Sequence, residues 1–339
     1  MNAFDFVVPR TVAEALAAGA GEGSAYLAGG TNLVDLMKAG VSRPARVVHI
    51  GGITGLDRIE TLPDGQVRIG ALVRNADLAR LPLIAEATLS GASAQLRNAA
   101  TVGGNLLQRT RCPYFFDPAS ACNKRTPGAG CDAQGGETRH AAVLGTSEHC
   151  VATHPSDLAA ALVALDAVVE IAGPGGKRET PLESFHRLPG DSPQRDTELQ
   201  PGELILAVRL PAAAASFAAH ARYVKARDRV SYAFALASAA AALKLDGGRI
   251  VEARLALGGV ATKPWRAREA EAALAGAAPG AEAFAKASAL ALSDARPVGD
   301  NAFKIELARR VVVRALTLAA AGTPKALPAL PASPFGVSR

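Results

Sequence analysis

At 339 residues, with 49% hydrophobic and 20% charged residues, the chain suits two or three modest domains with a substantial core. Aromatic residues make up only 4%, which argues against a stacking platform for single-stranded nucleic acid. The formal charge of +6 comes from Lys and Arg spread along the chain in runs no longer than two. It reads as a generally basic surface, or as a positive field beside a cofactor or acidic partner, rather than a nucleic-acid footprint. Met1–Arg10 carries no basic segment followed by an apolar run, and no uncharged stretch of about 18 residues marks a membrane span. A soluble protein is expected, either cytoplasmic or exported by riding on a partner.

The first block, residues 1–55, has a small β-α-β-α-β pattern. Thr11-Val-Ala-Glu14 matches a helix capping box. A strand at Ala25–Leu27 runs into Ala28-Gly-Gly-Thr-Asn32, an amphipathic helix follows, and Val47–Ile50 is a further strand. The second block, 56–215, opens with a hairpin whose arms, Arg58–Leu62 and Val67–Ala71, flank Pro63-Asp64-Gly65. Helices are predicted at 76–81 and 84–96, before Ala99-Ala-Thr-Val-Gly-Gly-Asn105. Residues 109–150 then form a loop rich in Gly, Pro, Cys and Arg, without periodicity. So long a loop inside a domain is usually functional. A helix at Ser156–Leu165 and strands at Val168–Ala172 and Leu204–Leu210 close the block. The third block, 216–325, starts with a strand at Tyr223–Ala226. The apolar run Ser231–Leu243 is expected to be buried throughout. Asp246-Gly-Gly248 turns into a strand at Val251–Gly259, and helices lead to Ala321. An extended Pro-rich tail covers 326–339.

Two segments place Gly-Gly after a β-like stretch, followed by Thr-Asn or Asn. Glycines let backbone approach a phosphate, and exposed N–H groups make an anion-binding concavity. In the first, a helix starting near Asn32 adds its N-terminal dipole. Thr31, Asn32, Thr101 and Asn105 offer further donors. A Gly-Gly segment alone is more often plain turn chemistry, and neither is a Rossmann fingerprint. The sequence Gly19-Ala-Gly-Glu-Gly23 follows a helix and reads as its C-cap and loop.

All four cysteines, Cys112, Cys122, Cys131 and Cys150, fall within 39 residues. Four thiolates suit a [4Fe–4S] cluster or a structural zinc. The intervening spacings of nine, eight and eighteen residues favour a cluster wrapped by one loop over a zinc knuckle built from close pairs. Arg109, Arg111, Lys124, Arg125, Arg139 and His149 would offset its negative charge. Two disulfides remain an alternative in an oxidising compartment. His149 and His154 read as local hydrogen-bonding residues rather than ligands.

Together, Ala28-Gly-Gly-Thr-Asn32, Thr101-Val-Gly-Gly-Asn105 and His154-Pro-Ser-Asp157 resemble the FAD-binding subunit of the xanthine dehydrogenase family of molybdenum hydroxylases. The cysteine loop narrows the resemblance to the [4Fe–4S]-containing FAD subunits of periplasmic aldehyde oxidoreductases. A similar loop, with different cysteine spacing, occurs in 4-hydroxybenzoyl-CoA reductase. The resemblance extends over nearly the whole chain, including Leu257-Gly-Gly-Val-Ala261.

The resemblance implies an α+β fold: a two-subdomain FAD-binding fold of the vanillyl-alcohol-oxidase/PCMH-like kind, with subdomains 1–55 and 56–215, then a C-terminal α/β flavoprotein domain, 216–325. It implies FAD pyrophosphate binding by Tyr26, Leu27, Ala28, Gly29, Gly30, Thr31, Asn32 and Leu33, and by Thr101, Gly103, Gly104, Asn105 and Leu106. Ser156 and Asp157 match a position near the flavin; Ser156 also suits a helix N-cap. Lys225 would stabilise anionic reduced flavin, or be an exposed strand lysine. Cys112, Cys122, Cys131 and Cys150 would hold the cluster. The implied complex is a heterotrimer. A large molybdenum-cofactor subunit oxidises the aldehyde, a small subunit with two [2Fe–2S] clusters passes electrons here, and an acceptor such as ferredoxin removes them. The complex would be periplasmic or cytoplasmic. No acid–base dyad is expected on this chain. The other readings are a stand-alone FAD-dependent oxidoreductase of the same fold and a zinc-stabilised noncatalytic binding protein.

Overall fold

The computed structural model describes residues 1–324; the tail expected over 326–339 lies outside the described residues. In the first block, β1 (Asp5–Val7), α1 (Val12–Gly19), β2 (Ser24–Leu27), α2 (Leu33–Lys38) and β3 (Arg46–His49) follow one another. The strands form a parallel sheet in the order β1-β3-β2. Thr11 Oγ1 accepts the Glu14 N–H at 3.2 Å, as the capping box requires. The Glu14 carboxylate, however, accepts from the Arg10 N–H at 2.7 Å, one residue before the cap. Ala15, Val48 and Ile50 bury the sheet against Leu204 and Leu206 of the second block.

The second block begins with β4 (Ile59–Thr61) and β5 (Val67–Gly70), joined by the expected turn with Gly65 at φ +83°. Five short helices follow: α3 (Asn75–Leu78), α4 (Pro82–Ser90), α5 (Ala94–Ala99), α6 (Val102–Leu106) and α7 (Pro113–Phe116). Ser90-Gly91 divides the helix expected at 84–96, because Ser93 starts a new one by accepting the Leu96 N–H at 3.3 Å. Then come α8 (Asp157–Ala164), β6 (Val168–Gly173), β7 (Gly176–Pro181), α9 (Leu182–Phe185) and β8 (Leu204–Leu210). The sheet order is β4-β5-β8-β6-β7, all neighbours antiparallel.

The third block forms an antiparallel sheet, β12-β11-β10-β9. Its strands are β9 (Ala221–Ala226), β10 (Ala237–Asp246), β11 (Arg249–Gly258) and β12 (Trp265–Arg266). The helices α10 (Arg268–Leu274), α11 (Ala281–Ala291) and α12 (Phe303–Ala321) complete it, with α12 lying on β9 and β10. Small Ala side chains along β10 let the helices approach closely.

Every residue of α8 is buried, because the helix lies between the two larger sheets. It touches α4 on one side and β10 and β11 on the other. Burying Leu158 and Leu162 contributes about 1.5–3 kcal/mol each. The helix therefore fixes its own N-terminus, Ser156 and Asp157, against both sheets.

One expectation fails here. The run Ser231–Leu243 is buried only from Leu236 onward. Tyr232 is 56% exposed and Phe234 48% exposed, and Tyr232 turns the chain with φ +51°. Arginines cover these rings instead of a core. The Arg229 guanidinium lies 5.5 Å from the Tyr232 ring centre, and Arg111 lies 5.1 Å from that of Phe234.

Candidate functional site

The two Gly-Gly loops meet backbone to backbone. A Cβ on Gly29 would stand 1.8 Å from the Ala99 carbonyl oxygen, so only glycine lets the first loop lie against the approach to the second. Gly30 has φ +74°, and α2 starts beyond it with Asn32 as N-cap. In the second loop, Thr101 caps α6 by accepting the Gly104 N–H at 3.4 Å. The Gly103 N–H donates to Ala71 O at 2.8 Å. The missing side chain of Gly29 thus serves contact between two segments of backbone.

Two cavities open on either side of these loops, about 580 Å³ and 340 Å³ in volume. Thr31, Asn32 and Gly104 line both. Tyr26, Leu27, Ala28, Gly29, Gly30, Leu33, Thr101 and Gly103 line the smaller cavity. Asn105, Asp157 and Lys225 line the larger. Leu106 and Ser156 line neither. Leu106 is core, while Ser156 caps α8 through the Ala159 N–H at 3.0 Å and donates to Asn105 Oδ1 at 2.5 Å.

The larger cavity has a buried charged wall. Lys225 Nζ donates to Asp157 Oδ2 at 2.7 Å and to Ser90 O at 3.0 Å. Tyr223 OH donates to Asp157 Oδ1 at 2.7 Å. Burial, with Asp157 alongside, holds the Tyr223 phenol well above its usual range. Lys225 is therefore no exposed strand lysine. Two residues lining the larger cavity carry buried polar atoms without protein partners: Asn32 Nδ2, and Oδ1 of Asn75, a residue only 5% exposed. Such atoms leave hydrogen-bonding capacity for a polar ligand. Asn75 and Tyr223 are contributors that local sequence did not mark: Asp157, the partner of Tyr223, lies far along the chain, and Asn75 Oδ1 has no partner at all.

All four cysteines are free thiols, so the disulfide alternative is not met. They line one void of about 10 Å³ and are joined there by no carboxylate. Cys122 and Cys131 pair as an antiparallel bridge, which folds the loop back on itself. Burial raises the Cys112 and Cys131 thiols, and lifts that of Cys150 to about 11 against the pull of Lys124. Thiolates here need a cationic centre to hold them. Among the described residues, no group of three or more His, Cys, Asp or Glu gathers closely enough to hold a single metal ion. A cluster spreads its thiolates over separate irons. The donor set suits it, and seating it in so small a void requires the thiol side chains to swing apart.

The cations expected around these thiols are mostly engaged elsewhere. Of them, Lys124 and His149 line the void. Lys124 pairs with Asp196 and donates to Pro193 O at 2.8 Å; Arg109 also pairs with Asp196. Arg125 donates to Tyr114 O at 2.8 Å and Phe115 O at 2.9 Å. Arg111 lies 3.8 Å from Asp35, and Arg139 bridges Asp228 at 2.6 Å. These five side chains therefore knit the loop to itself and its surroundings. The void and the larger cavity share Cys112, Ala133 and Ala152 as a common wall. No described helix is long and apolar enough to cross a membrane.

Residues 2–213 match the family described as FAD binding domain in molybdopterin dehydrogenase, and residues 221–319 match the CO dehydrogenase flavoprotein C-terminal domain. The chain belongs to the FAD-binding subunits of the molybdenum hydroxylase family, which are oxidoreductase subunits. Within it, the chain is 48% identical to the aldehyde oxidoreductase FAD-binding subunit PaoB of Escherichia coli (strain K12), covering 95% of this chain and 99% of that protein. It is 28% identical to the carbon monoxide dehydrogenase medium chain of Afipia carboxidovorans, covering 88% and 89%. A solved carbon monoxide dehydrogenase from Hydrogenophaga pseudoflava superposes with a TM-score of 0.72 at 28% identity, covering 94% of this chain and 98% of that one. The expected α+β flavoprotein fold is the one observed.

Proposed function

We propose that this chain carries FAD and a [4Fe–4S] cluster as the electron-transfer subunit of a heteromeric, molybdenum-dependent aldehyde oxidoreductase. The observation that carries the reading is the shared wall: four free thiols face a void separated from the larger cavity only by Cys112, Ala133 and Ala152. FAD, when bound, supplies the ability to take up electrons singly or in pairs. The cluster would supply one-electron exchange beside it.

The chain's residues have positional roles. The Gly29–Asn32 and Thr101–Gly104 loops would hold the pyrophosphate where the two cavities meet. Asp157 fixes the Lys225 ammonium at the cavity wall, and a cation there favours a ligand that gains negative charge on reduction. Ser156 holds Asn105 in place. Cys112, Cys122, Cys131 and Cys150 would ligate the cluster, with Lys124 offsetting part of its charge. Aldehyde oxidation would occur on a large molybdenum-cofactor subunit, and a small subunit with two [2Fe–2S] clusters would deliver electrons to this chain. An external one-electron acceptor, such as ferredoxin, would remove them.

The test is aldehyde-dependent bleaching of flavin absorption under anaerobic conditions. Bleaching is expected when this chain is assembled with both partner subunits, and not when it is alone. Bleaching of the isolated chain by aldehyde would favour a stand-alone oxidoreductase instead.

A further inference from the structure

We propose that Leu36 is a positioning residue shared by the cysteine void and the smaller cavity, through which a bound cluster tightens the hold of the first Gly-Gly loop on FAD. The inference rests on the reading above and adds a link between its two cofactor sites.

The link runs through α2. The Val34 N–H donates to Gly30 O at 3.1 Å and the Leu36 N–H to Asn32 O at 3.1 Å, so the first turn of the helix is built on the Gly-Gly loop. The cysteine loop reaches the same point, where the Arg109 N–H donates to Asn32 Oδ1 at 3.1 Å. The Leu36 side chain is buried in one apolar cluster with Phe115 and Cys122, and Cys112 packs against that cluster. Leu36 lines the smaller cavity, while Phe115 lines both that cavity and the void. The two side chains therefore stand between the thiols and the Gly-Gly loop.

The size of the void makes this contact consequential. At about 10 Å³ it admits a cluster only when the thiol side chains move apart. Two of the four, Cys112 and Cys122, then move against Leu36 and Phe115. A close-packed interior transmits such a displacement rather than absorbing it. Iron–sulfur bonds also cross-link a loop that otherwise only side-chain contacts hold. That loop supplies Arg109, Phe115, Lys124 and Arg125 to the wall of the smaller cavity. A ligand entering afterwards loses less entropy in ordering this wall and binds more tightly. By linkage, bound FAD raises the affinity for the cluster by the same factor.

The experiment titrates FAD into flavin-free full chain, cluster-loaded against chelator-stripped. Stripped wild type should bind FAD about tenfold more weakly, a change that leaves the site filled at saturating FAD. Leu36→Ala removes the contact and should bring the ratio of the two affinities close to one. Leu36→Met keeps the volume and should restore most of the ratio. A merely structural Leu36 would weaken both forms equally in L36A and leave the ratio at about ten, which overturns the assignment. Equal affinities in loaded and stripped wild type overturn the link itself. A wild-type chain that takes up no iron or no FAD sinks the underlying reading, a distinct outcome. Should the stripped chain or L36A fail to fold, ADP decides on loaded protein, because it carries the diphosphate without a flavin. It should shift the electron paramagnetic resonance spectrum of the reduced cluster in wild type, and less so in Leu36→Val. Absence of any shift in wild type, or an equal shift in L36V, would overturn the proposal.

Discussion

The Gly-Gly loops and the cysteine loop do adjacent jobs by opposite means. The Gly-Gly loops are short, end on helices, and are fixed by backbone contacts such as Gly103 N–H to Ala71 O at 2.8 Å. Between residues 109 and 150 only α7 and one short 3₁₀ turn are regular. There the chain is held by side chains: Arg125 on a ring of carbonyls, and Lys124 and Arg109 on Asp196, around a void that the four cysteines line. One region is thus preformed by backbone contacts, while the other is held in place by its side chains.

Breaking the preformed side should have the largest effect. Gly29→Val places a side chain where even a Cβ lies 1.8 Å from Ala99 O. We expect about 3 kcal/mol or more of destabilisation and loss of FAD, read by chemical denaturation and flavin content. Iron content should fall less than flavin in any fraction that remains folded.

The buried imidazole of His186 sharpens the comparison through pH. Burial lowers His186 to about 4 from 6.5 in the folded chain. The unfolded state therefore binds more protons between these values, and stability rises with pH across that window. As pH falls from 6.5 towards 4 the stabilisation is lost, by about 1.4 kcal/mol per unit at most. His186→Gln should flatten the pH dependence of the denaturation midpoint in that window.

Lys304 tests how the end of the cysteine loop is anchored to the C-terminal domain. The side chain is fully buried and donates to Ala141 O at 2.8 Å and Gly259 O at 2.7 Å. Lys304→Met should cost about 1–3 kcal/mol and increase proteolytic cleavage near residues 138–142, with FAD affinity nearly unchanged.

Much of the frame was legible because it depends on local pattern. The capping box at Thr11, the Pro63-Asp-Gly65 turn, α8, and the β10–β11 hairpin all follow from residues near one another. What escaped depends on distant partners. The space beside Gly29 is taken by Ala99, and the exposed ring of Phe234 lies under Arg111 rather than in a core. The cysteine clustering was plain in sequence, but the engagement of its cations by Asp35, Asp196, Asp228 and loop carbonyls was not. Asn75 carried no local signal; it matters because the fold leaves its Oδ1 unpartnered at the cavity.

The most direct test of a cluster beside the flavin is metal and flavin stoichiometry in anaerobically prepared protein, wild type against Cys122→Ser. The account predicts about four irons and one FAD per wild-type chain, with the iron–sulfur absorption lost or degraded in C122S while most of the flavin stays. Wild-type protein that contains FAD but no iron would contradict it.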